Sequence, residues 1–509
     1  MLGPFAPFFG GIDPLLCAME SPAGVVFLER KSAFWFVAAL TIVLFAITNL
    51  PWHLDEYDQA KQAFTSFEMV RQGQWIYQHT PNGWVATKPP LVGWISAGFF
   101  TVTRSWDLAW RLPSFLAGIA LLFLIARAAA VYGSGAVLVA ACAFGLNLFA
   151  PRLATLVRTD MPLALILFVI GWLIWEKIRG RETWNGRDRL VFFVLLSAAM
   201  LIKGPIVYAF LLPGIVAFQW RTAVTREAVA AWSGWWPWTA SLAIFLAWAI
   251  GGIFFVPEFW EHVVMREFAG RFSEAMHRSQ PIYFYLPHFL HRFAPWSILL
   301  ILLPLFGARE QSLKIRDWLR AISPETFWLV AWSLGGLLVM SFVPSKRIDR
   351  VFPIVPPLCL LLAAQVAEVR TREKLRAVTG RCCTIAIAIA CLFTTGYAAG
   401  KIALGYRQHG DAFATFGYAV RKEAAAHGWR YEVVGGEDEG MLLYVRRTEF
   451  LEPDQAAAEW NSGKLDGLVV PDDELTDLLP RLAGAVPSRI GMSEPAGRYR
   501  KRYIFLVRS

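Results

Sequence analysis

Three acids in four residues, Asp55, Glu56 and Asp58, stand just past the first long apolar run, in Leu54-Asp55-Glu56-Tyr57-Asp58. Thr87-Lys88-Pro89-Pro90-Leu91 then sets a lysine directly before another apolar stretch. Arg158-Thr159-Asp160-Met161-Pro162 joins two apolar runs, and Lys203-Gly204-Pro205 interrupts a third region. Arg266 follows His262 in Trp260-Glu261-His262-Val263-Val264-Met265-Arg266, and Lys346-Arg347 and Arg350 follow Pro344. Each has a plain structural alternative. Asp at a helix start is a common cap, a lone lysine beside apolar residues snorkels, and a lone His on a helix is more often packing than a ligand. Taken together they favour chemistry. Ionisable groups at membrane depth cost about 2.5–3.5 kcal/mol each on insertion scales, so they are functional candidates by default. Lys88, Lys203, Arg266, Lys346 and Arg347 suit a phosphate, whose charge Lys and Arg clusters stabilise. Of Asp55 and Asp160, one could deprotonate an acceptor hydroxyl or phosphate and the other could position it. Glu56, Arg158 and His262 are further candidate substrate contacts. No complete ligand set for a metal is legible; no organic cofactor is implied, and a divalent metal stays open.

Such residues need elements to hold them, and composition says what those are. The 509 residues are 56% hydrophobic and only 17% charged, where a soluble domain carries about 25% charge; mean hydropathy is +0.44. The net charge of +10 is no nucleic-acid footprint, because the basic residues lie in short loops between apolar runs, where they orient helices. Cys142, Cys359, Cys382, Cys383 and Cys391 sit in apolar stretches and read as small hydrophobes rather than a disulfide framework. The start does not resemble a cleaved signal peptide, and Met19 is an alternative first residue.

Runs able to span, or nearly so, lie at 33–50, 112–130, 134–151, 161–178, 189–202, 204–220, 236–256, 291–306, 325–343, 350–367 and 380–399. The stretch 90–103 is too short to cross comfortably and reads as an interfacial helix. With the N-terminus inside, the inner loops collect Arg127; Lys177, Arg179, Arg181, Arg187 and Arg189; Arg221 and Arg226; Arg309, Lys314, Arg316 and Arg320; and Arg370, Arg372, Lys374, Arg376 and Arg381. This satisfies the positive-inside rule only if 90–103 does not cross. The expected division is a cytoplasmic segment 1–32, a polytopic helical domain 33–400 with a long outer loop 51–111, and a soluble α/β domain 401–509 on the outer side. In the last, strands are expected at 430–434, 442–445, 466–470 and 502–507 and helices at 411–426, 453–462 and 473–484.

The ordered series of motifs resembles one family. Asp55-Glu56, the helix to Gly73-Gln74-Trp75, Lys88-Pro89-Pro90-Leu91 and Arg111-Leu112-Pro113 are similar to the first outer loop of GT-C membrane glycosyltransferases. The aminoarabinose transferases that modify lipid A and the protein O-mannosyltransferases are nearest in pattern. Arg158 to Pro162, Lys203-Gly204-Pro205, Tyr283-Phe284-Tyr285-Leu286-Pro287, Pro295-Trp296-Ser297 and Ser345-Lys346-Arg347 before Phe352-Pro353-Ile354-Val355-Pro356 extend the match over 33–366. The resemblance implies a polyprenyl-phosphate sugar donor, a lipid, glycan or protein acceptor, and direct displacement with inversion. It implies Asp55 as the base and Lys88 as carrier-phosphate ligand, assisted by Arg266 and Lys203 or Lys346-Arg347. It also implies a bacterial inner-membrane enzyme whose site and C-terminal domain face the periplasm. Thr87 stands where the aminoarabinose transferases commonly have Glu, and Asp349-Arg350-Val351 where they have Tyr; both departures bear on the metal and the sugar. Other classes fit less well. A lipid-linked precursor transporter would show paired broken helices or an internal repeat, and a ligand sensor would leave Asp55 to Lys88 unexplained.

Overall fold

The computed structural model describes residues 28–54, 57–81, 83, 85–227, 229, 231–268, 280–307, 319–435, 438–495 and 500–509. Helices dominate up to residue 427. They are α1 (Lys31–Ile47), α2 (Tyr57–Gln72), α3 (Leu91–Thr103), α4 (Trp106–Ala109), α5 (Leu112–Ala129), α6 (Ser134–Gly145), α7 (Ala150–Leu153), α8 (Asp160–Gly180), α9 (Gly186–Lys203) and α10 (Val207–Thr225). There follow α11 (Trp236–Phe255), α12 (Tyr285–Arg292), α13 (Trp296–Gly307), α14 (Pro324–Phe342), α15 (Val355–Arg370), α16 (Glu373–Arg407) and α17 (Ala412–His427).

All eleven apolar runs overlap helices. Among the described residues seven helical stretches are long and apolar enough to cross a membrane, or eight if the bent pair Ile282–Arg292 and Trp296–Leu305 is one span. The chain is thus a polytopic helical membrane protein. Two expected spans, at 33–50 and 134–151, are realised as the shorter apolar helices α1 and α6. The runs 189–202 and 204–220 share one long stretch, Gly186–Thr225, interrupted where Gly204 takes a φ of 71° and Pro205 lacks an amide hydrogen. Its contacts show a reversal there. Lys177 and Asp188 pair at one end of α8 and α9, and Asp160 and Lys203 at the other. Beyond the break, α10 returns beside α14: Phe210 packs near Gly336, while Arg221 donates to the carbonyl of Ile322 just before α14 starts.

Small residues permit this packing. Helices α10 and α14 make the most extensive helix contact, and a Cβ on Gly335 would lie 3.0 Å from the amide nitrogen of Gly214. Without a hydrophobic drive between helices in lipid, such close backbone approach is what holds a bundle. Of the expected basic loops, the one at 370–381 meets the start of α1, where Arg370 and Arg376 pair with Glu29; Arg309, Lys314 and Arg316 lie outside the described residues.

The tail forms a five-stranded sheet. Its elements are β1 (Tyr431–Val434), α18 (Glu439–Val445), β2 (Phe450–Leu451), α19 (Pro453–Asn461), β3 (Gly467–Pro471), α20 (Asp472–Leu478), β4 (Ala485–Met492) and β5 (Tyr503–Arg508). The order is β2-β1-β3-β5-β4, with β1 parallel to β2 and β3, and β5 antiparallel to β3 and β4. Strand β3 is buried at every position, as a strand covered on both faces must be. The expected strand at 442–445 is instead part of α18. Its residues are buried all round, and a short apolar run carries no periodicity to tell strand from helix. Strand β4 was not expected, because most of its side chains are partly or fully exposed and do not alternate. The helix expected at 473–484 ends early, passing at Leu479 into a 3₁₀ turn that contains Pro480.

One apolar core joins the tail to the segment between α1 and α5. Leu54, Phe64, Phe67, Trp106 and Trp110 cluster with Phe413, Phe416, Tyr444 and Phe505. A second core, with Trp460, Leu468 and Leu506, fills the other face of the sheet.

Candidate active site

The reversal at Lys203 and the start of α8 bring ionisable residues from distant segments to one end of the bundle. Asp160 opens α8, where the helix dipole favours negative charge. It accepts from Lys203 Nζ at 2.5 Å, and Lys88 acts on the same carboxylate electrostatically. Asp58, in the first turn of α2, pairs with Arg347 and lies 3.7 Å from Arg158 Nη2. Burial pushes the Asp58 carboxyl up, but Arg347, Lys88 and Arg158 outweigh it and hold the group below its ordinary value. Arg158 also donates to Asp349 at 3.0 Å. Asp349 in turn accepts from Arg152 at 2.7 Å and lies 3.7 Å from Arg292.

Of the site residues expected from the sequence, Lys88, Arg158, Asp160, Lys203 and Arg347 thus converge. Two others are described in contacts of their own. Lys346 donates to the carbonyl of Gln280 at 2.9 Å, and burial lowers its ammonium pKa. His262 Nε2 lies 3.1 Å from Glu258 of its own turn, in a wide helix, Trp260–Phe268. Asp55, Glu56 and the side chain of Arg266 lie outside the described residues. No group of three or more His, Cys, Asp or Glu among the described residues could hold a metal ion.

Asp58, Arg152, Arg292 and Asp349 had not been singled out as site residues. The signal was present, since Arg152 and Arg292 also oppose the positive-inside bias and Asp349 sits between Arg347 and Arg350. The cluster sets six cations (Lys88, Arg152, Arg158, Lys203, Arg292 and Arg347) against three carboxylates (Asp58, Asp160 and Asp349). Among the described residues this leaves three positive charges in excess, which suits a phosphate rather than a neutral ligand. Beside it lies a cavity of about 80 Å³ lined by Asn49, Trp52, Gln59, Arg111, Arg152 and Lys401 among others. That is several times the roughly 10–15 Å³ a single water needs, and no acidic side chain among the described residues lines it.

No family model matches the chain. Curated relatives do. The chain is 26% identical over 348 residues to the undecaprenyl phosphate-alpha-4-amino-4-deoxy-L-arabinose arabinosyl transferase of Edwardsiella ictaluri, covering 66% of this chain and 60% of that protein. It is 28% identical over 348 residues to the enzyme of the same name from Aeromonas salmonicida, covering 63% and 57%. The chain therefore spans less than two thirds of the length of these relatives. Among solved structures, ArnT from Cupriavidus metallidurans bound to undecaprenyl phosphate superposes with a TM-score of 0.64 at 17% identity, covering 92% of this chain and 97% of that one. Its apo form gives 0.60, covering 94% and 98%. The chain has that GT-C fold, and the likeness to aminoarabinose transferases read from the motifs is found in sequence and in structure alike.

Proposed function

We propose that the chain is a glycosyltransferase that moves a sugar from a polyprenyl-phosphate carrier to a lipid, glycan or protein acceptor. The observation that carries this reading is the excess of cations at one end of the bundle, in a fold whose solved example, ArnT, is bound to undecaprenyl phosphate. The clustered end faces the periplasm from a bacterial inner membrane, and the basic loops face the cytoplasm. Residues 33–400 form the membrane catalytic domain, 401–509 a periplasmic domain, and 1–32 a cytoplasmic segment.

An acceptor oxygen attacks the anomeric carbon as the bond to the carrier oxygen breaks. The carrier phosphate leaves with the bonding electrons, and Lys88, Arg158 and Arg347 stabilise its growing charge in a preorganised site. Lys346 and Arg266 are secondary phosphate ligands. Lys346, whose ammonium is weakened by burial, regains charge stabilisation from an arriving anion. Asp55 takes the acceptor proton, and direct displacement inverts the anomeric centre. Asp58 is a poor base, because its cationic neighbours hold its pKa low; it aligns Arg347 and Arg158. Asp160, bonded to Lys203, orients the acceptor. Glu56 and His262 are left as substrate contacts.

Asp55→Asn, purified in folded form, is expected to lose transfer from a polyprenyl-phosphate sugar. Full activity in that variant would remove Asp55 from the mechanism. Envelope-lipid and protein-glycan analysis of cells with and without the gene identifies the acceptor, and an unchanged set of glycans would refute the transferase reading.

A further inference from the structure

The core shared by the first outer loop and the C-terminal domain brings one polar contact up to the acidic run. The backbone N–H of Leu54 donates to the hydroxyl of Tyr444 at 2.9 Å. Leu54 is fully buried and Tyr444 is 3% exposed. Arg111, itself buried, bonds the same hydroxyl and lies over the ring of Trp52. The tyrosine is held from behind. A Cβ on Gly417 of α17 would come within 2.6 Å of the Tyr444 Cβ and 2.9 Å of its carbonyl carbon, so α17 backs directly onto the base of the side chain. Helix α18, which carries Tyr444, packs along α2, which carries Asp58. A second set of contacts braces the docking. Tyr418 donates to Asp107 at 2.6 Å, Arg446 lies 3.7 Å from the same carboxylate, and the Arg446 guanidinium covers the Trp110 ring.

We propose that Tyr444 is a positioning residue for the transfer site. Its hydroxyl pins the chain at Leu54, the last residue before the acidic run, while α18 sets α2 so that Asp58 meets Arg347 and Arg158. The C-terminal domain is therefore part of the active-site frame rather than a separate module. This inference rests on the transferase reading, but its test does not depend on it alone.

Tyr444→Phe deletes one hydroxyl and keeps the ring. Tyr431→Phe is the control: the Tyr431 hydroxyl is also buried in this domain, but it donates within the domain, to the carbonyl of Val445 at 2.9 Å. Hydrogen exchange on the full-length protein in detergent reads the peptide around Leu54. Losing one hydrogen bond speeds exchange there roughly tenfold in Tyr444→Phe, with no change in Tyr431→Phe. In the transfer assay, Tyr444→Phe lowers kcat roughly tenfold with the donor KM unchanged, and Tyr431→Phe leaves both alone. Unchanged exchange at Leu54 in Tyr444→Phe would overturn the positioning role whatever the transfer result. Equal loss of kcat in both variants would overturn it too, assigning the hydroxyl to domain stability alone. Wild-type protein without transfer activity would refute the proposed function, and the exchange result would still decide the role of Tyr444.

Discussion

Replacing Asp349 by Leu tests whether the arginines of the site are held by one carboxylate. Asp349 is 5% exposed and meets three guanidinium groups: Arg152 at 2.7 Å, Arg158 at 3.0 Å and Arg292 at 3.7 Å. Leu is close to Asp in shape but removes both acceptor oxygens, leaving the three cations facing one another. Removing one partner of a buried ion pair costs about 3–5 kcal/mol. With two close partners and one longer one, Asp349→Leu belongs at the upper end of that range. Asp349→Asn keeps one acceptor oxygen but loses the charge, so the loss falls to about 1.5–3 kcal/mol, the worth of a hydrogen bond to a charged group. Unfolding of the purified protein in detergent reads the order wild type, Asn, Leu. Because the pair is buried, salt screens it little, and the order persists from low salt to 1 M NaCl. A Leu variant as stable as wild type, or a difference that vanishes in salt, would refute the idea of a buried carboxylate holding the three arginines.

Lys88→Ala is expected to weaken binding of undecaprenyl phosphate about 10- to 100-fold, from the loss of one charge-assisted contact; unchanged affinity in a lipid-binding assay would argue against its phosphate role. His79 gives a pH signature in the loop between α2 and α3. Its hydrogen bond to Glu68, at 3.1 Å, raises its pKa above the ordinary value. The stabilisation is therefore full below about pH 6.5 and is lost as pH rises through the raised value, so proteolysis of the loop should accelerate on that side, and His79→Gln should flatten the profile. Glu439 works in the same direction. Burial pushes its pKa up to about 7 against a weak opposing pull from Lys61, and one carboxyl oxygen has no hydrogen bond among the described residues. Below about pH 4.5 the neutral acid costs nothing extra; as pH climbs through about 7 the charged form destabilises the domain, toward a limit of roughly 3 kcal/mol. Glu439→Gln should thus match wild type at pH 4.5 and exceed it at pH 8.5 in thermal unfolding, and equal stability at both would refute the buried-charge argument.

The membrane part was legible because lipid imposes long apolar runs and charge bias orders them. The positive-inside rule alone brings Lys88, Asp160 and Lys203 to one face, and Lys203 does bond Asp160. What escaped was pairing. Arg152 and Asp349 are 197 residues apart, and no local pattern joins them. The C-terminal domain was less legible still. Strand β4 is largely exposed, and the run 441–445 in α18 is apolar at every position, so neither offered the alternation that reveals a strand or the stripe that reveals a helix. Its docking on α2 left no sequence trace, since Tyr444 in Met441-Leu442-Leu443-Tyr444-Val445 reads as one more core aromatic.

That docking sets a schedule for the protein's own manufacture. Leu54 and Tyr444 are 390 residues apart, and at about 5–20 residues per second their syntheses are separated by roughly 20–80 seconds. Through that interval Leu54, Phe64, Phe67, Trp106 and Trp110 already exist while their partners Phe413, Phe416 and Phe505 are still unmade. A ribosome that stalls late, or a stop codon shortly after α16, leaves a bundle fully threaded through the membrane with its loop uncovered. Such a product lacks the residues that cover those aromatics, which leaves it with an exposed, aggregation-prone apolar surface. Completion of the last strand, β5, which supplies Tyr503, Phe505 and Val507, is the event that closes the shared core.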